Sequence, residues 1–390
     1  MNYPTYKLSE VADILDSFRK PINSTERTKR IQGKTENELY PYYGATGQVG
    51  LIDEYLTDGE YVLVGEDGAP FLEPFKNKSY IIRGKAWVNN HAHILSGKKD
   101  VLSNQYLNYF LNSFDYRNYV NGTTRLKLTQ GNLTQIPIPL PSLPTQQAIV
   151  TRIEILFAEL DKAVRHLRTA QQQLKTYRQA VLKAAFEGCE NAEKHLFGEL
   201  MADVRNGYGA KPTDCGTNKL LRISSVRAMN LNLDDFRFNN SSFDERDIIQ
   251  ENDLLFTRYN GSVDLVGVCA YVPELYDTYA YPDKIIRCRP KVCNTFHSKF
   301  LQYYINQGEA REFVRSKIKT TSGQNGISGS DIKKIEIPLP PLAEQQRIVK
   351  EIESRLSQAT ASETYIENAL QQAEALRQSI LKKAFSGELV

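Results

Sequence analysis

No stretch of this 390-residue chain approaches the roughly 20 consecutive apolar residues that span a bilayer. The first twenty residues, Met1 to Lys20, carry acidic side chains and no apolar segment, so no secretory signal is expected. Cysteine is scarce: five residues, an odd number, scattered apart from Cys288 and Cys293. That usage suits reduced thiols in a cytoplasm better than a disulfide framework. An excess of one charge is missing too. The net charge is +3; residues 1–140 carry 16 Lys and Arg against 15 Asp and Glu, and residues 191–335 carry 20 against 18. With no basic tail, any nucleic-acid partner must be met by locally concentrated charge, because affinity follows the phosphates neutralised rather than the total. Tryptophan occurs once, beside 16 Phe and 22 Tyr, which implies true cores with Tyr hydroxyls left over for surfaces. The remaining composition, 41% hydrophobic and 24% charged, is that of an ordinary globular protein long enough for two or three domains.

Signatures of catalysis are also wanting. Gly33-Lys34-Thr35 matches the end of a phosphate-binding loop, but Thr28 stands where the first glycine is required. Gly44, Gly47 and Gly50 have the spacing of a tight turn rather than of a dinucleotide loop. There is no Asn-Pro-Pro-Tyr/Phe stretch of an adenine methyltransferase. Cys288, Cys293 and His297 match no common zinc spacing and lack an evident fourth ligand. His91-Ala92-His93 reads as a structural pair on a strand, and Tyr281-Pro282-Asp283-Lys284 lacks the Glu-x-Lys strand of a nuclease. The reading is therefore of a chain with no reaction, metal or cofactor of its own.

One stretch, by contrast, occurs twice. Ile136 to Gly188 and Ile335 to Gly387 align without a gap at an offset of 199 residues. Ile136-Pro137-Ile138-Pro139-Leu140-Pro141 matches Ile335-Glu336-Ile337-Pro338-Leu339-Pro340; Gln146-Gln147 matches Gln345-Gln346; Lys183, Ala185, Phe186 and Gly188 match Lys382, Ala384, Phe385 and Gly387. A period so long excludes a solenoid and implies a two-part module, a globular segment and then a helix, used twice. The proline run must be extended. Pro144 and Pro341 suit a first helical turn, and Gly188 and Gly387 suit a left-handed C-terminal residue. Between these limits Ile149, Ile153, Leu156, Leu160, Ala163, Leu167, Ala170, Leu174, Tyr177, Val181 and Ala184 form a heptad seam. The second copy has a thinner stripe of Ile352, Leu356, Ala359, Ile366, Ala373 and Ile380. Two rods of roughly 60 Å that pair antiparallel would bury both seams and set the globular segments a fixed distance apart.

The globular segments read as mixed α/β. Leu8, Val11 and Ile14 predict a short helix, residues 103–120 a longer one with Tyr106, Leu107, Phe110 and Leu111 inward, and Phe300, Leu301, Tyr304 and Ile305 its echo. Residues 60–64, 79–82, 253–257 and 284–287 predict strands. Polar residues able to read base edges gather in the loops. They are Lys85, Asn89, Asn90 and His91, then Thr123, Thr124, Arg125 and Lys127, in the first segment. In the second they are Arg222, Ser224, Ser225 and Arg227; Thr257, Arg258, Asn260 and Ser262; and Thr320, Thr321, Ser322, Gln324 and Asn325.

At the repeat the chain resembles the specificity subunits of type I restriction-modification systems, along its whole length. The resemblance rests on residues 337–349, Ile337-Pro338-Leu339-Pro340-Pro341-Leu342-Ala343-Glu344-Gln345-Gln346-Arg347-Ile348-Val349, and on Leu381-Lys382-Lys383-Ala384-Phe385-Ser386-Gly387-Glu388-Leu389, with their first-copy counterparts. Tyr42 to Gly47, Gly65 to Ala69, Asn89 to His93 and Asp253 to Arg258 are similar to stretches of the family's target recognition domains. The resemblance implies an α+β architecture with an internal pseudo-two-fold repeat. Target recognition domains at residues 1–144 and 189–342 would alternate with spacer helices at 145–188 and 343–390, paired as an antiparallel coiled coil. It also implies a non-catalytic reader of a split, asymmetric site in double-stranded DNA, working in the cytoplasm. Two methyltransferase subunits using S-adenosylmethionine to methylate adenine, and restriction-translocase subunits using ATP and Mg, would be its partners. Two other readings stay open on the residues alone: a coiled-coil scaffold with protein-binding lobes, and a nuclease or methyltransferase acting by itself.

Overall fold

The computed structural model describes residues 3–389 except 210–212, 214, 241, 242, 293, 294 and 322. The chain divides into two compact units, Met1–Ala170 with Tyr365–Val390, and Gln171–Thr364.

In the first unit the chain runs β1 (Thr5–Lys7), α1 (Leu8–Val11), β2 (Ala12–Ile14), α2 (Ser24–Ile31), β3 (Tyr40–Gly44), β4 (Gly47–Ile52), β5 (Thr57–Gly65), β6 (Ser79–Val88), β7 (Ala92–Gly97), α3 (Asn104–Ser113), α4 (Gln130–Thr134) and β8 (Pro137–Pro139), then enters α5 (Leu143–Ala185). Six strands form one sheet in the order β2-β7-β5-β6-β3-β4, antiparallel except for β3 beside β6. The alternation of β5 explains its two faces. Val62 and Val64 pack with Leu107 and Phe110 of α3, while Leu63 turns to Ile82, Ala86 and Ile94 on the other side. Gly59 and Gly84 lie opposite one another with φ of +153° and +73°, backbone conformations that glycine adopts readily.

Two expectations are corrected here. The predicted first helix is a single turn, and Ile14 belongs to β2, where it pairs with Leu95. Helix α3 stops at Ser113 instead of running to residue 120. At its end the Asn112 side chain ties the helix to the start of β6: its Oδ1 accepts from the backbone N–H groups of Lys78 and Ser79, at 2.7 and 3.2 Å. Phe114 then folds edge-on against Tyr116 and Tyr119.

The second unit contains the end of α5 and then β9 (Lys194–Leu196), α6 (Phe197–Leu200), β10 (Met201–Asn206), β11 (Asn218–Leu221), β12 (Val226–Arg227), β13 (Asn230–Leu231), β14 (Phe236–Asn239), β15 (Leu254–Thr257), β16 (Tyr259–Asn260), β17 (Cys269–Tyr271), β18 (Tyr279–Ala280), β19 (Ile285–Pro290), α7 (Ser298–Ile305), α8 (Gly308–Ser316), β20 (Lys319–Thr321), β21 (Gln324–Gly326), α9 (Gly329–Ile332) and β22 (Glu336–Pro338). It ends in the start of α10 (Leu342–Ser386). The sheets are ordered β10-β19-β15-β17, β14-β11-β18 and β16-β21-β20, with a β12–β13 pair. In each unit the proline run is extended and pairs with the strand that opens the unit, β8 with β1 and β22 with β9. Ile138 and Ile337 are thereby fully buried.

The helices pair antiparallel inside each unit. In the first, Ile149 and Ile153 of α5 share a core with Ile380, Leu381 and Ala384 of α10. Arg377 pairs with Asp161 and lies 4.2 Å over the Phe157 ring. In the second, Leu182 and Phe186 of α5 share a core with Ile348, Val349 and Ile352, and Arg178 Nη2 donates to Glu363 Oε2 at 2.9 Å. Rising numbers in one helix meet falling numbers in the other. All six α10 seam residues expected are at least half-buried, and on α5 so are Ile153, Leu156, Leu160, Leu167, Leu174 and Val181. Tyr177, Ala163 and Ala184 are exposed, however. There the inner positions are Val164, Arg178 and Ala185, one residue further on, and Gln171 is half-buried beside the equally half-buried Ala170. Polar Gln171 and Arg178 sit in the seam, which a search for apolar residues passes over.

Candidate nucleic-acid interface

In the first unit, Asn121 and Lys127 exchange backbone hydrogen bonds of 2.9 and 2.8 Å. They close a hairpin whose tip, Gly122 to Arg125, is exposed. Gly122 has φ of +105°, and a Cβ there would lie 2.5 Å from Arg125 O, so the turn requires glycine. The hairpin rests on the turn that follows β5: Leu128 N–H donates to Glu66 O at 2.7 Å and Gly68 N–H to Leu126 O at 3.2 Å. The β6–β7 turn meets the same place, with Glu66 N–H donating to His91 O at 2.7 Å. Three loops singled out separately in the sequence are thus one surface.

Acidic residues fix its cations. Asp67 Oδ1 receives Arg125 Nη2 at 2.6 Å and His91 Nδ1 at 2.8 Å. Glu66 pairs with Lys127 at 3.0 Å and with Arg19 at 2.5 Å. Burial pushes the Glu66 carboxyl up, but the Arg19 and Lys127 bonds outweigh it and hold the group below its ordinary value. Thr123, Thr124 and Asn90 are exposed and can face a partner, as can the half-exposed edge of the His91 ring away from Asp67. Asn89 is buried, and its Oδ1 accepts from His91 N–H at 2.8 Å, so it shapes the turn. Lys85 is exposed on β6 and lies 4.6 Å over the Tyr55 ring. Nor do His91 and His93 share a ligand, since His93 turns inward to Asp16.

In the second unit a hairpin occupies the same place in the chain order, just before a short helix and the proline run. Strands β20 and β21 turn at Gly323, whose φ is +77°, and β16 adds beside them. Tyr259 and Asn260 of β16 therefore lie beside Gly326 and Asn325 of β21. Thr320 donates to Asn325 Oδ1 at 2.7 Å, and Asn325 Nδ2 to Gly261 O at 3.0 Å. Asn325 is buried and serves this linkage. Thr257 is fully buried too, its hydroxyl donating to Leu265 O. Both are corrected from contact to support. Arg258 is half-buried, 4.7 Å over the Tyr259 ring, with Nη1 donating to Asp283 O at 3.3 Å. Gln324 is exposed and Asn260 half-buried. Ser322, Cys293 and the side chain of Thr321 lie outside the described residues. The Arg222 and Arg227 group is built on other strands. Arg222 Nη1 meets Asp235 at 3.1 Å, and Arg227 Nη1 donates to Val226 O at 2.9 Å.

What the sequence reading missed is support. Gln146 and Gln345, 199 residues apart, are fully buried. Gln146 accepts from Ser103 N–H at 2.9 Å and donates to Val101 O and Pro141 O at 2.9 and 3.0 Å. Gln345 accepts from His297 N–H at 2.9 Å and donates to Thr295 O and Pro340 O at 3.0 and 2.8 Å. The duplicated Gln-Gln pair was the available signal.

Two α+β units, each closed by an extended proline strand and by the ends of two long antiparallel helices, define a duplicated protein. This chain belongs to the family of type I restriction modification DNA specificity domains, whose model matches residues 2–166 and 237–372. It is 37% identical over 304 residues to the type I restriction enzyme EcoKI specificity subunit of Escherichia coli (strain K12), a match covering 73% of this chain and 65% of that one. It is 34% identical over 307 residues to the StySPI specificity subunit of Salmonella potsdam, covering 74% and 66%. These matches span just under two thirds of the relatives' length. In fold the chain is similar to one from a structure described as the basis of complex assembly and conformational transition of the type I R-M system, with TM-score 0.72 and 17% identity over 99% and 98% of the two chains. A crystal structure of the HsdS subunit from Thermoanaerobacter tengcongensis gives TM-score 0.58 at 16% identity over 99% and 97%. Among the described residues no helix is long and apolar enough to cross a membrane.

Proposed function

We propose that this chain is the specificity subunit of a type I restriction-modification complex, a sequence-specific reader of double-stranded DNA without a reaction of its own. The globular segments 1–144 and 189–342 act as target recognition domains, each meeting one half of a split, asymmetric site. The observation that carries this reading is the exposed hairpin each unit presents just before its short helix and proline run, at Gly122–Arg125 and at Gly323–Gln324. Arg and Lys suit guanine edges, Asn and Gln suit adenine, and Thr and Ser serve either. In the first unit Arg125, Lys127, Thr123, Thr124, Asn90 and His91 face the DNA, with Lys85 toward phosphate. In the second Arg258, Asn260, Thr320 and Gln324 do so, and Arg222 and Arg227 take phosphate. Two different readers on one scaffold suit separated half-sites. The spacer helices at 145–188 and 343–390 carry two methyltransferase subunits, which bring S-adenosylmethionine, and restriction-translocase subunits bring ATP and Mg. The complex works in the cytoplasm.

The test is a base-resolution map of methyladenine in DNA from cells carrying this chain, with and without a co-expressed type I methyltransferase subunit. A bipartite motif with a fixed gap, dependent on both proteins, is expected. Absence of any motif with an active methyltransferase present would leave a lobed scaffold as the better account.

A further inference from the structure

Beneath the first hairpin lies a histidine with no solvent exposure. His93, on β7, faces Asp16 Oδ2 through Nδ1 at 2.6 Å and Leu128 O, at the base of the hairpin, through Nε2 at 2.9 Å. A carbonyl oxygen can only accept, so Nε2 must carry a proton. An ionised carboxylate can only accept as well, so a second proton must lie between Nδ1 and Oδ2, whichever atom holds it. Without that proton two lone pairs would face each other in a buried site. The charged groups around the ring are Asp16, Arg19, Glu66 and Lys127. Arg19 bridges Asp16 at 2.9 Å and Glu66 at 2.5 Å, Glu66 comes within 4.0 Å of Nε2, and Lys127 closes the ring onto Glu66 at 3.0 Å. Asp16 Oδ1 also accepts from Ile94 N–H at 3.1 Å, so the carboxylate is fixed from two sides.

We propose that His93 is a positioning residue for the first DNA-reading hairpin, tying Leu128 to the sheet through a proton held jointly with Asp16. The proposal rests on reading that hairpin as a DNA-contacting element. Residues 123–125 project from a turn only a few residues from Leu128, so loss of this bond lets the tip wander while α3 and the sheet stay folded.

Two measurements test it on the full chain. With the co-expressed methyltransferase and duplexes carrying the mapped motif, His93→Asn is expected to cut discrimination at one half-site about five- to a hundredfold, the range for a buried hydrogen bond left unmade. Discrimination at the other half-site stays. An equal loss at both half-sites would overturn the proposal. Amide hydrogen exchange of the chain without DNA separates this from the reading it rests on. Faster exchange over residues 121–128 in His93→Asn, with α3 unchanged, is expected even if no motif emerges. Unchanged exchange of the hairpin refutes the positioning role directly.

Discussion

Replacing Gln146 by leucine removes a side chain with no solvent exposure and leaves one of nearly the same volume. Packing changes little, so the loss is almost wholly polar. Three backbone groups lose their partner: the Ser103 N–H and the carbonyls of Val101 and Pro141. An unpaired buried N–H costs about 1–3 kcal/mol, and a carbonyl, with a second lone pair to offer, less. The sum is about 3 kcal/mol, a large part of the roughly 5–15 kcal/mol that holds a domain together. Gln345→Leu strips His297 N–H, Thr295 O and Pro340 O in the second unit and should cost a similar amount. The neighbouring Gln147 is exposed, and Gln147→Leu should stay within about 0.5 kcal/mol of wild type. Urea unfolding of the full chain gives the size of each loss, and exchange of the Ser103 and His297 amides assigns it to its unit. A change under about 1 kcal/mol in Gln146→Leu, or an unaltered Ser103 amide, would refute the view that this glutamine is a cross-link.

Leu160 is half-buried and lines a groove of about 480 Å³ with Val164, Leu370 and Ala373; Leu160→Asp should lower stability by about 2 kcal/mol and weaken methyltransferase assembly, read by melting and by size-exclusion chromatography. Wild-type assembly and stability would sink the seam. Arg258→Ala should weaken recognition of one half-site roughly ten- to hundredfold, the value of a good base contact, in a methylation assay with half-site variants. Equal loss on every sequence would make Arg258 a phosphate contact instead. Glu66, held below its ordinary value near 4.5 by Arg19 and Lys127 after burial is offset, stabilises the first unit fully above that pH, and the contribution is lost as pH falls through its lowered folded value. Glu66→Gln should therefore be less stable at pH 7 but lose less on acidification; a parallel acid curve in both proteins would contradict this.

Much of the helical frame could be read from the chain, because duplication shows itself as identity at a constant offset. The proline runs, the αL glycines Gly188 and Gly387 at φ of +90° and +79°, and the whole α10 stripe follow from local rules of backbone and periodicity. The register of α5 did not, since Gln171 and Arg178 are inward polar residues. Arg178 is there because Glu363 waits across the seam, a fact of tertiary pairing. The loops divide in the same way. Residue type pointed to Arg125, His91 and Lys127, yet nothing local says that Asp67 and Glu66 will hold them. That Asn260 and Asn325 stand opposite each other depends on pairing β16 with β21 across some 65 positions. Thr257 and Asn325 look like contact residues by chemistry and are support by burial.

Phe385, near the end of α10, lies edge-on to Tyr106 and Phe110 of α3 at 5.2 and 5.3 Å, and Ile380, Leu381 and Ala384 complete the same core. During synthesis these residues emerge long after α3, the helix they cover. A nascent first unit must therefore wait through some 200 residues of further translation with the site of α10 open to water. Vectorial folding, in which each domain closes as it emerges, is denied to it; the second unit, whose parts are contiguous from Gln171 to Thr364, is free to close first. A chain stopped before Tyr365 would be left with a finished second unit and an exposed apolar face on the first, a species that chaperones and proteases can tell from one in which both units have closed.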